Sequence, residues 1–232
     1  PSSSPVKGTM TDGIWADAAE QIWIDGNGNR FVNEYAERDV LAKSSLALED
    51  GIFYIIYAGR GDVGNPDQLI KGTDYSEGIA PMVEGGHIWY GETLAELAEA
   101  SKTKAAGVAP GFTEEQLRAT IEKYNSYVAA QKDDDYGKEV LAGAIDLEYI
   151  EATEGVGICI SPRKSSLHHT MGGVVIDTET HVINTDRNII PGLWAAGEVT
   201  GGIHAGNRLG GNAIADIFTF GRIAGTNAAQ QK

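Results

Sequence analysis

Gly197, Gly201, Gly202, His204, Asn207, Arg208, Gly210 and Gly211 crowd into one short stretch of the chain. Glycine lets backbone approach a bound group closely or take a positive φ. The planar fork of an arginine among glycines suits a carboxylate. Residues 193–196 before the stretch read as a strand, and residues 212–230 after it as a helix. The loop therefore ends at a helix N-terminus, where unpaired N–H groups carry partial positive charge. The bland alternative is a tight strand-to-helix turn with no ligand. The glycine block does not have G-x-G-x-x-G spacing, and the chain is read as lacking that fingerprint and the dinucleotide-binding half that carries it.

Other candidates lie upstream. His168 and His169 open a strand about forty residues before the block, although a hydrogen-bonded structural histidine is the commoner role. Arg38 follows Glu34 by four residues, which on a helix is the spacing of a weak surface ion pair. Cys159 is the only cysteine. It makes no internal disulfide and offers no metal set. Its neighbours, Val156, Gly157, Ile158 and Ile160, place it in a buried strand as a small hydrophobe.

Elements must position these residues. Residues 1–13 read as a loop, 22–25 as a short strand, and 26–28 as a turn, with Phe31 and Val32 resuming the strand. Residues 34–48 can be a helix, and 52–57 form an apolar run with the pattern of a buried strand. Thr93 and Thr113 are N-caps, with Glu96 and Gln116 three residues on. Leu117, Ile121, Tyr124 and Val128 then share one helix face. Asp133, Asp134 and Asp135 read as solvated. Residues 173–177 and 181–184 form a hairpin around 178–180. A shift in composition sets a boundary near Leu167, dividing the chain into 1–167 and 168–232.

Bulk properties narrow the function. The chain has 232 residues and a net charge of −15. An acid excess of this size argues against nucleic acid, whose phosphates it would repel. An anionic ligand would need a local cluster of positive groups. No apolar run is long enough to span a membrane. The first residue is Pro1 rather than methionine, and no signal-like segment follows, which reads as a fragment or processed product.

Three stretches together carry a resemblance. They are His168-His169-Thr170-Met171-Gly172-Gly173-Val174, Gly192-Leu193-Trp194-Ala195-Ala196-Gly197-Glu198-Val199-Thr200-Gly201-Gly202, and Asn207-Arg208-Leu209-Gly210-Gly211-Asn212-Ala213. Upstream, Asn29-Arg30-Phe31-Val32-Asn33-Glu34 with Arg38-Asp39 looks like N-R-F-x-N-E-x-x-x-R-D. Lys123-Tyr124-Asn125 and the 133–138 segment add to it. The chain resembles the soluble fumarate reductase/flavocytochrome c family, which includes urocanate reductase-like 2-enoate reductases. Matching is weak only from about 59 to 110.

The resemblance implies an α+β fold: a capping domain over 1–167, then the C-terminal strand-and-helix segment of an FAD-binding domain over 168–232. It implies FAD as cofactor and no metal. Arg38 matches the family's proton donor. His168 and Arg208 match the pair that grips a substrate carboxylate, and Gly211 a backbone contact to substrate. His169, Glu198, Ala213 and Ile214 match flavin contacts. Thr11 and Asp12 look like the family's substrate-binding Thr-Glu pair, with Asp in place of Glu. The family's next arginine has no counterpart, since Trp15, Ala16 and Asp17 stand there. The family's first substrate histidine would fall just before Pro1.

The implied reaction is hydride transfer from flavin N5 to the C=C bond of a fumarate- or urocanate-like carboxylate. Arg38 would then deliver a proton, with Glu34, Asp39 and Asp12 as candidates to restore it. Implied partners are the remainder of the flavoprotein and an electron donor such as a cytochrome or flavin domain. The resemblance suggests anaerobic respiration in the periplasm or cell envelope, with the cytoplasm as the alternative. Two other readings stay open: a related flavoenzyme acting on an uncharged enone, and a non-catalytic capping-domain fragment that serves only as a folded binding piece.

Overall fold

The structure is a computed structural model and describes residues 2–3, 18–58, 80–153, 156–167 and 169–231. The chain divides into two compact units, Pro1–Ser166 and Leu167–Lys232.

The first unit is built on an antiparallel sheet. Strands β1 (Ser2–Ser3), β5 (Ile158–Ser165), β3 (Ile52–Ala58) and β2 (Ile22–Ile24) lie in that order, and β4 (Trp89–Gly91) also pairs with β5. Side chains alternate across a strand. Tyr54 and Ile56 therefore face one core with Ile22, Ile24, Trp89, Ile158 and Ile160. Phe53 and Ile55 face a smaller one with Cys159, and Trp23 stacks on Phe53 at 4.5 Å. Burial on both faces explains the unbroken apolar run of β3.

Helices cover the larger core. α3 (Leu94–Ala100) and α4 (Glu114–Ala130) start where the sequence places them. Thr93 accepts from the Glu96 N–H, and Thr113 with Gln116 forms a complete capping box. Leu117, Ile121 and Tyr124 of α4 are fully buried. A short helix, α5 (Leu147–Ala152), adds Leu147 and Ile150 to that core, while α2 (Ala80–Glu84) packs Met82 and Val83 against the smaller one.

Some expectations change. The helix expected over 34–48 is α1 (Arg38–Leu46), because Glu34 is drawn inward by ion pairs and the chain turns before it can wind. Ser2 and Ser3, expected in a loop, pair with Ser165 and Lys164. Phe31 and Val32 do not resume a strand; only Arg30 bridges back to Ile24. G-x-G-x-x-G spacing does occur, at Gly59, Gly61 and Gly64 after β3, against the reading that the chain lacks it. A dinucleotide fingerprint belongs to a parallel β-α-β unit, whereas β3 pairs antiparallel with both β2 and β5. Those three glycines lie outside the described residues.

The second unit holds a small antiparallel sheet, β6 (Val175–Ile176), β7 (His181–Ile183) and β8 (Ile189–Trp194). The expected hairpin is β6–β7, and β8 begins earlier than 193. A 3-10 turn (Gly197–Val199), the glycine-rich loop and α6 (Asn212–Gln230) follow. Among the described residues no helix is long and apolar enough to cross a membrane.

Candidate active site

In the first unit, Arg38 is the exposed first residue of α1. The helix is fastened by Ser45, its one buried residue, whose hydroxyl lies 2.6 Å from that of Ser165 on β5. Arg38 makes no ion pair among the described residues, so the surface pair with Glu34 is not formed. Glu34 turns the other way. It accepts from Arg30 at 2.9 and 2.8 Å, and the Lys138 ammonium lies 3.4 Å from it.

Asp133 completes this cluster, accepting from Arg30 at 2.9 Å. All four side chains are buried, so the expectation of a solvated 133–135 run fails at Asp133. Lys138 also donates to the Tyr124 hydroxyl at 2.9 Å and to the Gln21 carbonyl at 3.0 Å. Burial opposes the charge on Arg30, but hydrogen bonds to Glu34 and Asp133 outweigh it and hold that pKa above the usual value. Burial also opposes the charge on Asp133, yet Arg30 keeps the carboxyl below its ordinary range. Burial, reinforced by the Arg30 charge, pulls Lys138 down. Glu34 is thus engaged by Arg30 and Lys138 rather than by Arg38. Asp39 is held by Lys43 at 3.0 Å and kept acidic by it, which makes it a poor base. Asp12, the third relay candidate, and Thr11 lie outside the described residues.

In the second unit, two glycine pairs cross backbone to backbone. Val174 N–H donates to the Val199 carbonyl at 2.9 Å, and Gly201 N–H to the Val174 carbonyl at 3.0 Å. A Cβ on Gly173 would stand 2.2 Å from the Val199 oxygen. Glycine at 173 and 201 is therefore a packing requirement of the two crossing segments. The loop glycines differ. A Cβ on Gly202, Gly206 or Gly211 would meet nothing within 4 Å. Gly211 stands at the N-cap of α6 with φ 88°, and no side chain caps the helix.

Several buried polar atoms of the second unit lack partners among the described residues. Arg208 is buried, 7 % exposed. Its Nη1 donates to the Leu209 carbonyl at 3.1 Å, and its buried Nε has no partner among the described residues. No carboxylate among the described residues pairs with this guanidinium. His169 Nδ1 and Trp194 Nε1 are likewise buried and unpartnered there. Glu198 accepts from the Thr170 N–H at 3.0 Å, which joins the 3-10 turn to the segment carrying His169. The His169 ring stands edge-on to His204 at 5.6 Å. Beyond them Leu209, Ile214 and Phe218 are exposed.

A flavin fits this set. Its flat ring needs glycines that leave room, unpaired donors, and an apolar surface. Its N1/O2 edge, which turns negative on reduction, suits an uncapped helix N-terminus. His169, Glu198, Gly211, Ala213, Ile214 and Arg208 all lie within the second unit. His168 lies outside the described residues, and Arg38 belongs to the other unit. Sequence reasoning missed Asp216, which accepts from His204 at 3.1 Å. Its signal was an acid among the apolar residues Ile214, Ile217 and Phe218.

The sequence profile of the FAD binding domain family matches residues 8–214. The NADH:acrylate oxidoreductase of Vibrio harveyi is 38 % identical over 99 % of this chain, which covers 20 % of that protein. The fumarate reductase (cytochrome) of Shewanella frigidimarina is 37 % identical over 99 % of the chain, which covers 35 % of it. Among solved structures, the open conformation of a flavocytochrome c3 fumarate reductase aligns with a TM-score of 0.64 at 31 % identity. That alignment covers 94 % of this chain and 34 % of the other. The chain thus spans between a fifth and about a third of the length of these relatives.

Proposed function

The chain belongs to the FAD binding domain family, and from that premise we propose that it is the substrate-gripping part of a flavin-dependent reductase of unsaturated carboxylates. One observation carries the reading. In a chain of net charge −15, a buried arginine on an open glycine loop lacks any carboxylate partner among the described residues. A buried charge is paired or awaits a partner. A substrate carboxylate supplies that partner with matching fork geometry.

The residues then divide the work. Arg208, with His168, fixes the carboxylate and offsets negative charge that builds on it during reduction. Gly211 offers backbone N–H to the substrate. His169, Glu198, Ala213 and Ile214 hold the flavin, which supplies the hydride when bound. Arg38 delivers a proton to the α carbon, and Thr11 and Asp12 contact the substrate. An arginine gives up a proton only in a dry site with a base to restore it. With Glu34 and Asp39 both engaged, Asp12 is left to take that part. The remainder of the flavoprotein supplies the rest of the FAD site and receives electrons from a separate donor. An uncharged enone would leave the Arg208 charge unmatched, which disfavours that alternative.

The test is Arg208→Gln in the full-length flavoprotein. KM for the unsaturated acid should rise about a hundredfold with flavin content unchanged. An unchanged KM would remove Arg208 from carboxylate binding and the proposal with it.

A further inference from the structure

α6 has one buried residue, and it is an acid. Asp216 is 6 % exposed, while Ile214 and Phe218 on the same helix are 58 % and 73 % exposed. A buried carboxylate is costly unless it is paired and hydrogen-bonded. Its Oδ2 lies 3.1 Å from His204 Nε2, across a separation of 12 residues. Between the two ends lie Arg208 and Gly211. The loop takes positive φ at Ala205 (51°) and Gly211 (88°). Among the described residues, Arg208 itself bonds only to the carbonyl of the next residue. Among the described residues, the His204–Asp216 bond is therefore the side-chain tie between this loop and α6. The His204 ring also stands edge-on to that of His169 at 5.6 Å.

We infer that His204 and Asp216 are positioning residues for Arg208: their hydrogen bond fixes the loop so that the guanidinium meets the substrate carboxylate in one orientation. Asp216 as acceptor makes His204 Nε2 the donor and sets the ring's tautomer and angle. The inference rests on the proposed carboxylate role of Arg208. A clamp gains its effect from being held in place before the ligand arrives, and small displacements are expensive. Free of the tie, the loop can carry Arg208 through many orientations that do not bind.

The test uses the full-length flavoprotein with four variants. His204→Phe keeps a ring against His169 but loses the N–H. Its KM for the unsaturated acid should rise about tenfold or more, with kcat falling less than KM rises and flavin content unchanged. His204→Gln restores an N–H near the Nε2 position, so its KM should lie within about threefold of the parent. Asp216→Asn is isosteric and uncharged, and should raise KM by about threefold or more through a weaker acceptor. Arg208→Gln separates the two ideas. If it raises KM while His204→Phe and Asp216→Asn leave KM unchanged, the inference fails and the carboxylate reading stands. If Arg208→Gln leaves KM unchanged, both fail. Loss of flavin in His204→Phe or Asp216→Asn also overturns the inference, because the pair would then maintain the fold rather than aim the clamp.

Discussion

At the scale of single residues, three arginines in this chain have three different fates. Arg30 is fully committed to Glu34 and Asp133. Arg208 is buried with donors unspent among the described residues. Arg38 is exposed and makes no ion pair among the described residues, at the start of a helix pinned by Ser45. Position in the sequence does not distinguish them; their partners do. A structural arginine spends its donors on the protein, and a functional one keeps them for a ligand. Arg38→Ala is therefore expected to spare the fold and abolish reduction in the full-length enzyme, while the flavin absorbance spectrum stays unchanged. Undiminished turnover in that variant would remove Arg38 from the proton-donor role.

At the scale of elements, the buried cluster joins the segment carrying Arg30 and Glu34 to the chain after α4. The folded pKa of Asp133 sits below its unfolded value, about 3.9. Its contribution to stability is therefore present above that value and lost as pH falls through the folded pKa. Urea unfolding of this chain should show stability falling as pH drops below about 4. Asp133→Asn leaves Arg30 and Lys138 facing Glu34 alone, and should cost about 3 kcal/mol at pH 7 while flattening that acid loss. Thr113→Ala removes one half of a capping box and should cost about 1 kcal/mol by the same measurement. Local signals such as these caps were legible in the sequence because donor and acceptor lie three residues apart. The α6 bounds were legible too, since Gly211 precedes a long apolar-rich run. The ion cluster was not, because Arg30 and Asp133 are 103 residues apart and nothing in a run of three aspartates says which one turns inward. The same limit hid Asp216, whose partner is set by the path of a loop. Of the candidate site, the sequence offered residues by family resemblance, while a support such as Asp216 had no such signal.

At the scale of the molecule, the second unit presents apolar side chains to solvent. Leu209 and Phe218 are both 73 % exposed. Surfaces of this kind on a monomer are usually interfaces or ligand-binding faces. The relatives are three to five times longer than this chain, and the proposed function gives the surface to flavin and to the rest of the flavoprotein. The 232-residue chain purified alone is accordingly expected to show no flavin absorbance, and the full-length protein a stoichiometric flavin spectrum. Tight flavin binding by this chain alone would mean that the second unit holds the cofactor without that remainder.

The proposed role of this chain is to present a carboxylate clamp to a substrate lying beside the flavin. It is tested most directly by supplying the full-length protein with reduced viologen and a panel of unsaturated acids beside their uncharged amides. Viologen oxidation with at least one free acid, and none with the matching amide, is the predicted result. Equal turnover of acid and amide, or turnover of uncharged enones alone, would contradict it.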